Sequence, residues 1–347
     1  MHRPLPPGTG GYVIAMRARA VEFSAPREAR VVDVVLDEAA RGEIQVRTLY
    51  SGISSGTEML VYRGEVDADL VLDETIPALR GGFSYPLRYG YSCVGIVERS
   101  QADVAPGALV FAFHPHQDRF VCAAADVVSI AGADPRTVTM FPLVETAFQV
   151  ALDAGEVSGE SVVVTGLGAV GLLTALFLQR SGAHVLGVEP SIERRNVAAD
   201  LGIDAVGPDD ALEHVRRRSG GRGVPLVVEV SGNPAALPAA LPMLGHEGTV
   251  LVASWYGTKR VRLSLGAEFH RRRLTIRSTQ VSTIPARLSS RWTIARRRRH
   301  VAGLLEELPL KRLATHEFAF ERAPEAFAAL DRGDPQLIHV ALAYEQS

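Results

Sequence analysis

The chain has 347 residues, 47% apolar and 22% charged, enough for about two domains with sizeable cores and unlike a mainly disordered composition. Its 37 Lys and Arg side chains against 39 Asp and Glu leave a net charge of -2, so no overall positive field favours nucleic acid or a membrane surface. The two cysteines, Cys93 and Cys122, exclude a disulfide scaffold and a four-cysteine zinc lobe.

Met1 to Ala15 is rich in Pro and Gly and lacks a long apolar core, so it reads as a flexible arm and not a secretory signal, with Met16 a candidate natural start. From Met16 to about Phe141 the chain consists of short β-rich runs broken by Pro, Gly and Asp, which predicts a small β-barrel or sandwich. At about Pro142 the texture changes. PLVETAFQVALDAG has helical spacing, and strand runs (SVVVTG, HVLGVEP, PLVVEVSG, GTVLVASW, LTIRSTQVS) then alternate with helical ones, which predicts a doubly wound parallel sheet. Val162 to Leu178 approaches the length of a membrane span, but its glycines suit a strand, a turn and a helix better. After about Ser282 the sequence reads as a long Arg-rich helix, with Arg296 to Arg299 on a solvated face. The last apolar run, LIHVALAY, has the texture of the early β part. The expected organisation is an arm over 1–15, a β domain over 16–142, a nucleotide-binding domain over 143–283 and a return to the first domain over 284–347, in a cytoplasmic protein without nucleic-acid or membrane partners.

Gly166, Gly168 and Gly171 form a GxGxxG that follows the apolar strand SVVVT and opens an apolar helix. In this context Gly166 permits the tight turn, Gly168 admits a pyrophosphate to the backbone, and Gly171 lets the helix pack on its strand. Leu167, Ala169 and Val170 complete the loop whose N–H groups face the phosphates. Glu189 ends the next strand, 18 residues past Gly171, where it can accept hydrogen bonds from an adenosine ribose and repel a 2′-phosphate; NAD(H) is therefore favoured, with NADP(H) the alternative. Arg194 is placed to cover the adenine, and Ser191 and Arg195 lie close enough to soften that preference. Ser231, Gly232, Ser254, Trp255 and Ser278 end successive predicted strands and should line a nicotinamide pocket. His270 and Arg271 to Arg273 are either an anion-binding turn or a solvated, subunit-facing one.

The segments SGISSGTEMLVYRG, RYGYSCVGIVE, PLVETAF, VVVTGLGAVGLLTA, VEPSIERR, VVEVSG and FERAPEAFAALDRG resemble the medium-chain dehydrogenase/reductase superfamily, over about Met16 to Tyr344. The first two resemble its zinc-lacking branch that includes bacteriochlorophyllide dehydrogenases. The resemblance implies a Rossmann doubly wound sheet inserted in a GroES-like β-barrel domain, a nicotinamide cofactor, a small-molecule substrate and a homodimer formed through Rossmann edge strands. LTIRSTQVS is an apolar candidate edge that needs such cover.

The superfamily's zinc ligands do not carry over. Ser54 stands in the stretch where zinc-bearing members have a Cys, Tyr91 and Ser92 replace a His and a Glu, and Phe141 and Pro142 fall where the third ligand belongs. No zinc is expected. The residual metal candidates are His114, His116 and Cys122, with Glu58 and Glu145. A metal-free site needs a donor to the reacting oxygen and a group that handles the proton. The resemblance makes Thr57 a relay hydroxyl, although Leu60 occupies the relay's usual histidine position. Tyr91 is a candidate donor, Glu58 and Glu145 are candidate site acids, Thr146 should face the nicotinamide, and His114 or His116 is a candidate proton carrier near neutral pH. Cys93 reads as a core thiol. The leading expectation is a zinc-independent alcohol/ketone oxidoreductase. The alternatives are an NADPH-dependent enone or quinone reductase and a non-catalytic dinucleotide-binding protein.

Overall fold

The computed structural model describes residues 16–345 except 74 and 131; the N-terminal arm lies outside the described residues. The first hairpin, β1 (Met16–Ala25) and β2 (Glu28–Leu36), is antiparallel. Strand β3 (Glu43–Ile53) then runs into helix α1 (Thr57–Arg63). Strands β4 (Cys93–Ser100), β5 (Leu109–Ala112), β6 (Arg119–Ala123) and β7 (Val127–Ser129) follow, then helices α2 (Pro135–Val138) and α3 (Phe141–Ala154). Strand β3 is the hub of this part. It pairs antiparallel with β4, with β6 and, across almost the whole chain, with β15 (Val340–Ala343) near the C-terminus. Next to β15 lies β14 (His316–Ala319), which completes a seven-stranded sheet.

Between these parts the chain builds a six-stranded parallel sheet from β8 (Ser161–Thr165), β9 (His184–Val188), β10 (Asp204–Val206), β11 (Val224–Glu229), β12 (Leu244–Val252) and β13 (Thr275–Ser278), in the order β10-β9-β8-β11-β12-β13. Four helices connect these strands: α4 (Ala169–Arg180), α5 (Ile192–Asp200), α6 (Pro208–Ser219) and α7 (Ala236–Ala240). Val162 and Val164 face one apolar cluster, shared with α3 and α4, while Val163 faces the other, with Leu241 and Val250. Burial on both faces explains why these strands read as continuous apolar runs. The apolar stretch 162–178 is β8, a glycine turn and α4, and no helix of the described residues is long and apolar enough to cross a membrane.

The Arg-rich segment departs from expectation twice. Its helix, α8 (Ile294–Leu304), starts only after Thr293, whose hydroxyl caps it by accepting from the Arg296 N–H at 3.1 Å. And Arg297 is not solvated. It is 1% exposed, donates from Nε to Glu145 Oε1 at 3.0 Å and from Nη1 to Gln149 Oε1 at 2.5 Å, and so ties α8 to α3. Arg298 lies over the Phe113 ring at 4.2 Å and Arg296 over Trp292 at 4.5 Å, which leaves Arg299 to solvent. Removing one partner of a buried ion pair strands the other charge. Glu145→Leu or Arg297→Met alone is expected to cost about 3–5 kcal/mol in urea unfolding. The double variant should recover most of that loss; equal loss in the single and double variants would deny the pair this role.

Candidate active site

Three glycines shape the start of α4. Gly166 has φ +90, and a Cβ there would lie 2.5 Å from Ser231 Cα. A Cβ on Gly171 would collide with the Gly166 carbonyl oxygen. Gly168 differs: its φ of -71 suits any residue, and the space where a Cβ would sit is open. Gly168 caps α4 with no side-chain hydrogen bond, so the first-turn N–H groups of Ala169, Val170 and Gly171 look onto that space. Opposite, the buried Glu189 carboxylate accepts from Leu167 N at 2.8 Å and from Ser191 N at 3.0 Å, which fixes it at the end of β9 with one lone pair of each oxygen still to offer. An open cradle at a helix N-terminus beside an anchored carboxylate fits the pyrophosphate and adenosine ribose of a dinucleotide. Arg194, expected over the adenine, donates from Nε to the Pro335 carbonyl at 3.1 Å. Arg195 Nη1 donates to the carbonyls of Glu189 and Pro190.

At the carboxyl ends of the central strands, Glu229 is a buried anchor that sequence reasoning missed. Its carboxylate accepts from Ser231 N and Oγ at 2.8 and 2.5 Å and from the Tyr256 hydroxyl at 2.5 Å. Ser254 Oγ accepts from Gly232 N at 2.8 Å. Trp255 is 38% exposed, 5.9 Å from the Phe83 ring of the β part, and Ser278 ends the edge strand β13. The same loop crosses to α1: Thr258 N donates to the Glu65 carbonyl at 2.9 Å, and Lys259 pairs with the Glu65 carboxylate at 3.4 Å. The Thr146 hydroxyl donates back to the Pro142 carbonyl at 2.8 Å. Arg272 donates to the carbonyls of Pro242 and Leu244, at the amino end of β12, and Arg273 pairs with Glu247; these arginines serve the end of the sheet opposite the cleft.

On the β side, β3 delivers Ser54 and the first turn of α1. Glu58 is 0% exposed, and both its oxygens are taken: Oε1 accepts from Ser54 N at 3.0 Å, and Oε2 lies 2.8 Å from His116 Nε2. His116 is fully buried too, with Nδ1 at 2.8 Å from Ser51 Oγ, so it is no pocket-rim histidine. Gly90 (φ +124) makes room for the ring, because a Cβ there would lie 2.8 Å from its Cδ2 and Nε2. Tyr91 and Thr57 are half-buried. Burial pushes the Tyr91 phenol's pKa up and the Glu58 charge adds to this, while the neighbouring Ser54 and Thr57 side chains oppose it. The phenol therefore stays protonated, as a donor must. His114 stacks on Phe120 with ring centroids 4.0 Å apart and contacts the Pro115 carbonyl at 2.9 Å through Nδ1. Burial brings its pKa down to about 4, which removes it as a proton carrier near neutral pH. Glu145, paired with Arg297, is also withdrawn from the site. Cys93 is a buried thiol in the β core, as expected.

The donor set does not fit zinc. Both oxygens of Glu58 and both ring nitrogens of His116 are engaged within the protein, and among the described residues no group of three or more His, Cys, Asp and Glu side chains could hold a metal.

Residues 169–295 match the family model described as zinc-binding dehydrogenase. The chain is 26% identical over 268 residues to D-guloside 3-dehydrogenase of Escherichia coli, covering 71% of this chain and 76% of that one. It is 27% identical over 261 residues to 2-desacetyl-2-hydroxyethyl bacteriochlorophyllide A dehydrogenase of Cereibacter sphaeroides, covering 70% and 75%. In structure it is similar to an Escherichia coli oxidoreductase/dehydrogenase of unknown specificity, with TM-score 0.79 and 14% identity over 95% of this chain and 100% of that one. The chain belongs to the medium-chain dehydrogenase/reductase superfamily. As a superfamily member it is an oxidoreductase, of a family that uses NAD(P).

The cradle makes a sharp prediction. Gly168→Val fills open space without backbone strain, so its thermal midpoint should match the wild type while NADH fluorescence titration shows at least about a hundredfold weaker binding, roughly 2.7 kcal/mol. Unchanged NADH affinity would contradict the assignment of this turn.

Proposed function

We propose that this superfamily member is a zinc-independent oxidoreductase that transfers hydride between a nicotinamide cofactor, NAD(H) in preference to NADP(H), and a secondary alcohol/ketone pair in the cytoplasm. One observation carries the metal-free assignment: the carboxylate and imidazole nearest the reaction centre are engaged with each other and with the protein, while a protonated phenol and a hydroxyl stand beside them. When bound, the cofactor supplies the hydride chemistry. The chain's own residues supply the rest. Tyr91 donates a hydrogen bond to the substrate oxygen where negative charge develops, Thr57 offers a second hydroxyl, and Glu58 organises the turn that carries Thr57. The two curated relatives are named as dehydrogenases of a guloside and of a hydroxyethyl bacteriochlorophyllide, both hydroxyl-bearing compounds, which supports the alcohol chemistry. The preference for NAD(H) rests on the charge of the anchored Glu189.

β13 ends the parallel sheet, and we infer that a second copy pairs along it to make a homodimer; a monomer mass in light scattering would contradict this.

The direct test follows NADH absorbance while panels of ketones, enones and quinones are added. Turnover of ketones supports the proposal; turnover confined to enones or quinones replaces it. Tyr91→Phe should then lower turnover about a hundredfold with NADH affinity unchanged. Glu189→Gln loses the charge and keeps an acceptor for only one of the two N–H donors, Leu167 or Ser191, and should shift the NADP/NAD preference about tenfold toward NADP, roughly 1.4 kcal/mol. A parent enzyme that already prefers NADP would overturn the cofactor assignment.

A further inference from the structure

The Glu58–His116 pair does not end at the imidazole. Ser51 Oγ, 2.8 Å from His116 Nδ1, lies 2.8 Å from the hydroxyl of Tyr344 on its other side. Four side chains from three distant parts of the chain therefore form one unbroken line of hydrogen bonds, Glu58–His116–Ser51–Tyr344, each link 2.8 Å long. The first three are 0% exposed and Tyr344 is 7%. The far end opens: Tyr344 lines a cavity of about 70 Å³ with Arg19, Arg47, Asp118, Arg119 and Glu345, polar walls and room for water. The near end adjoins the partly exposed groups of the site: Thr57 is the residue next to Glu58, and the Glu58 charge acts on the Tyr91 phenol.

We propose that this line is the proton path of the enzyme, connecting the substrate site to solvent through the body of the β part. This rests on the alcohol/ketone assignment above, where every turnover must exchange one proton with water. Leu60 stands where the relay histidine of the superfamily would be, so a proton needs another route.

The polarity of the line suits the task. Ionised Glu58 can only accept, so the facing Nε2 carries the ring hydrogen; in a neutral imidazole Nδ1 then accepts from Ser51, and Ser51 accepts from Tyr344. In ketone reduction the electron pair reaches the carbonyl carbon with the cofactor's hydride. The substrate oxygen takes a proton from Tyr91. His116 Nε2 protonates the Glu58 carboxylate, and the carboxyl group then restores the phenol. His116 Nδ1 is recharged by Ser51, Ser51 by Tyr344, and Tyr344 by a water of the cavity. Each group gains one proton and loses one; the imidazole is left with its hydrogen on Nδ1, and its return to Nε2 with rotation of the two hydroxyls precedes the next turnover. The net change is one hydride and one proton added to the carbonyl, and alcohol oxidation runs the same transfers backward. His116, Ser51 and Tyr344 touch no substrate in this scheme; they act through Glu58.

Tyr344→Phe tests this. It keeps the ring, which stacks on Phe320 at 4.4 Å, and deletes only the hydroxyl. Ser51→Ala breaks the line one step further in, and Tyr50→Phe, a neighbouring tyrosine outside it, is the control. With a ketone that the wild type reduces, Tyr344→Phe and Ser51→Ala should each lower kcat at least about tenfold. Both should enlarge the D2O effect on kcat and leave the KM for NADH unchanged, while Tyr50→Phe matches the wild type. Unchanged kcat and D2O effect in both variants overturn the path. A readout free of turnover is the 15N resonance of His116 Nδ1, which Ser51→Ala must shift; if it does not move, the line is broken at that link and the path falls. A wild type that binds NADH but reduces no ketone sinks the alcohol/ketone assignment instead, and the path with it, an outcome told apart by the inactivity of the unmodified protein.

Discussion

Glu58 is a carboxylate with no access to water, and much of the β part is arranged to satisfy it. An isolated buried charge costs many kcal/mol, so its oxygens must find donors within the protein. Ser54 N supplies one, which fixes the turn between β3 and α1. His116 supplies the other, which pulls the 113–118 segment inward beneath that turn. The imidazole then excludes any side chain at position 90, and its second nitrogen recruits Ser51, which recruits Tyr344 from the C-terminal strand. One buried acid thus accounts for a glycine, the path of a loop and a contact between strands nearly 300 residues apart, 51 and 344 being separated by 293. It also places Thr57, its immediate neighbour, at the mouth of the site.

A zinc ion would solve the problem of charge at a reaction centre differently, by placing two positive charges against the developing oxyanion. In the metal-free reaction proposed for this chain the compensation is distributed. The phenol of Tyr91 is held protonated by burial and by the adjacent acid, and a preorganised neutral donor in a water-poor site stabilises an oxyanion without first having to be reoriented. The same economy operates at Glu145, the other buried carboxylate of the seam, which Arg297 neutralises. That pair engages Glu145 of α3, so the cofactor side of the site is built from backbone donors, hydroxyls, glycine turns and the anchored carboxylates of Glu189 and Glu229.

What was legible in the sequence follows the range of the interactions. The glycine turn and the alternating strands and helices depend on neighbours a few residues away, and the local pattern specifies them. Charge density does not show where the Arg-rich helix begins; the capping hydroxyl lies eleven residues past Ser282, at Thr293. The site was legible only in outline. Thr57, Glu58 and Tyr91 stand out as replacements for a metal set, but the partner of Glu58 is 58 residues away and that of Arg297 is 152 away. A run of four arginines looks like a solvated face because nothing local reveals that one of them meets a carboxylate from another helix. Ser51 and Tyr344 carry a weak signal, being polar groups in otherwise apolar strands, but that pattern does not say which polar group meets which.

Helix α1 is held at both ends by different parts of the molecule. Its first turn is fixed from within the β part through Glu58, and the residue just past its end, Glu65, is held from the parallel sheet through Thr258 and Lys259. The loop that makes the second contact is itself anchored by Tyr256 on Glu229, at the carboxyl edge where a nicotinamide would lie. Gly257 (φ +58) permits it, since a Cβ there would collide with the Glu65 carbonyl oxygen. Seven residues of helix span that length, so both contacts act on one short rigid element. The position of Thr57 relative to the cofactor cleft is therefore set by two contacts of opposite character. A buried, hydrogen-bonded carboxylate anchors the amino end of α1, and a half-exposed latch of one backbone hydrogen bond and one lysine ties the other end to the parallel sheet.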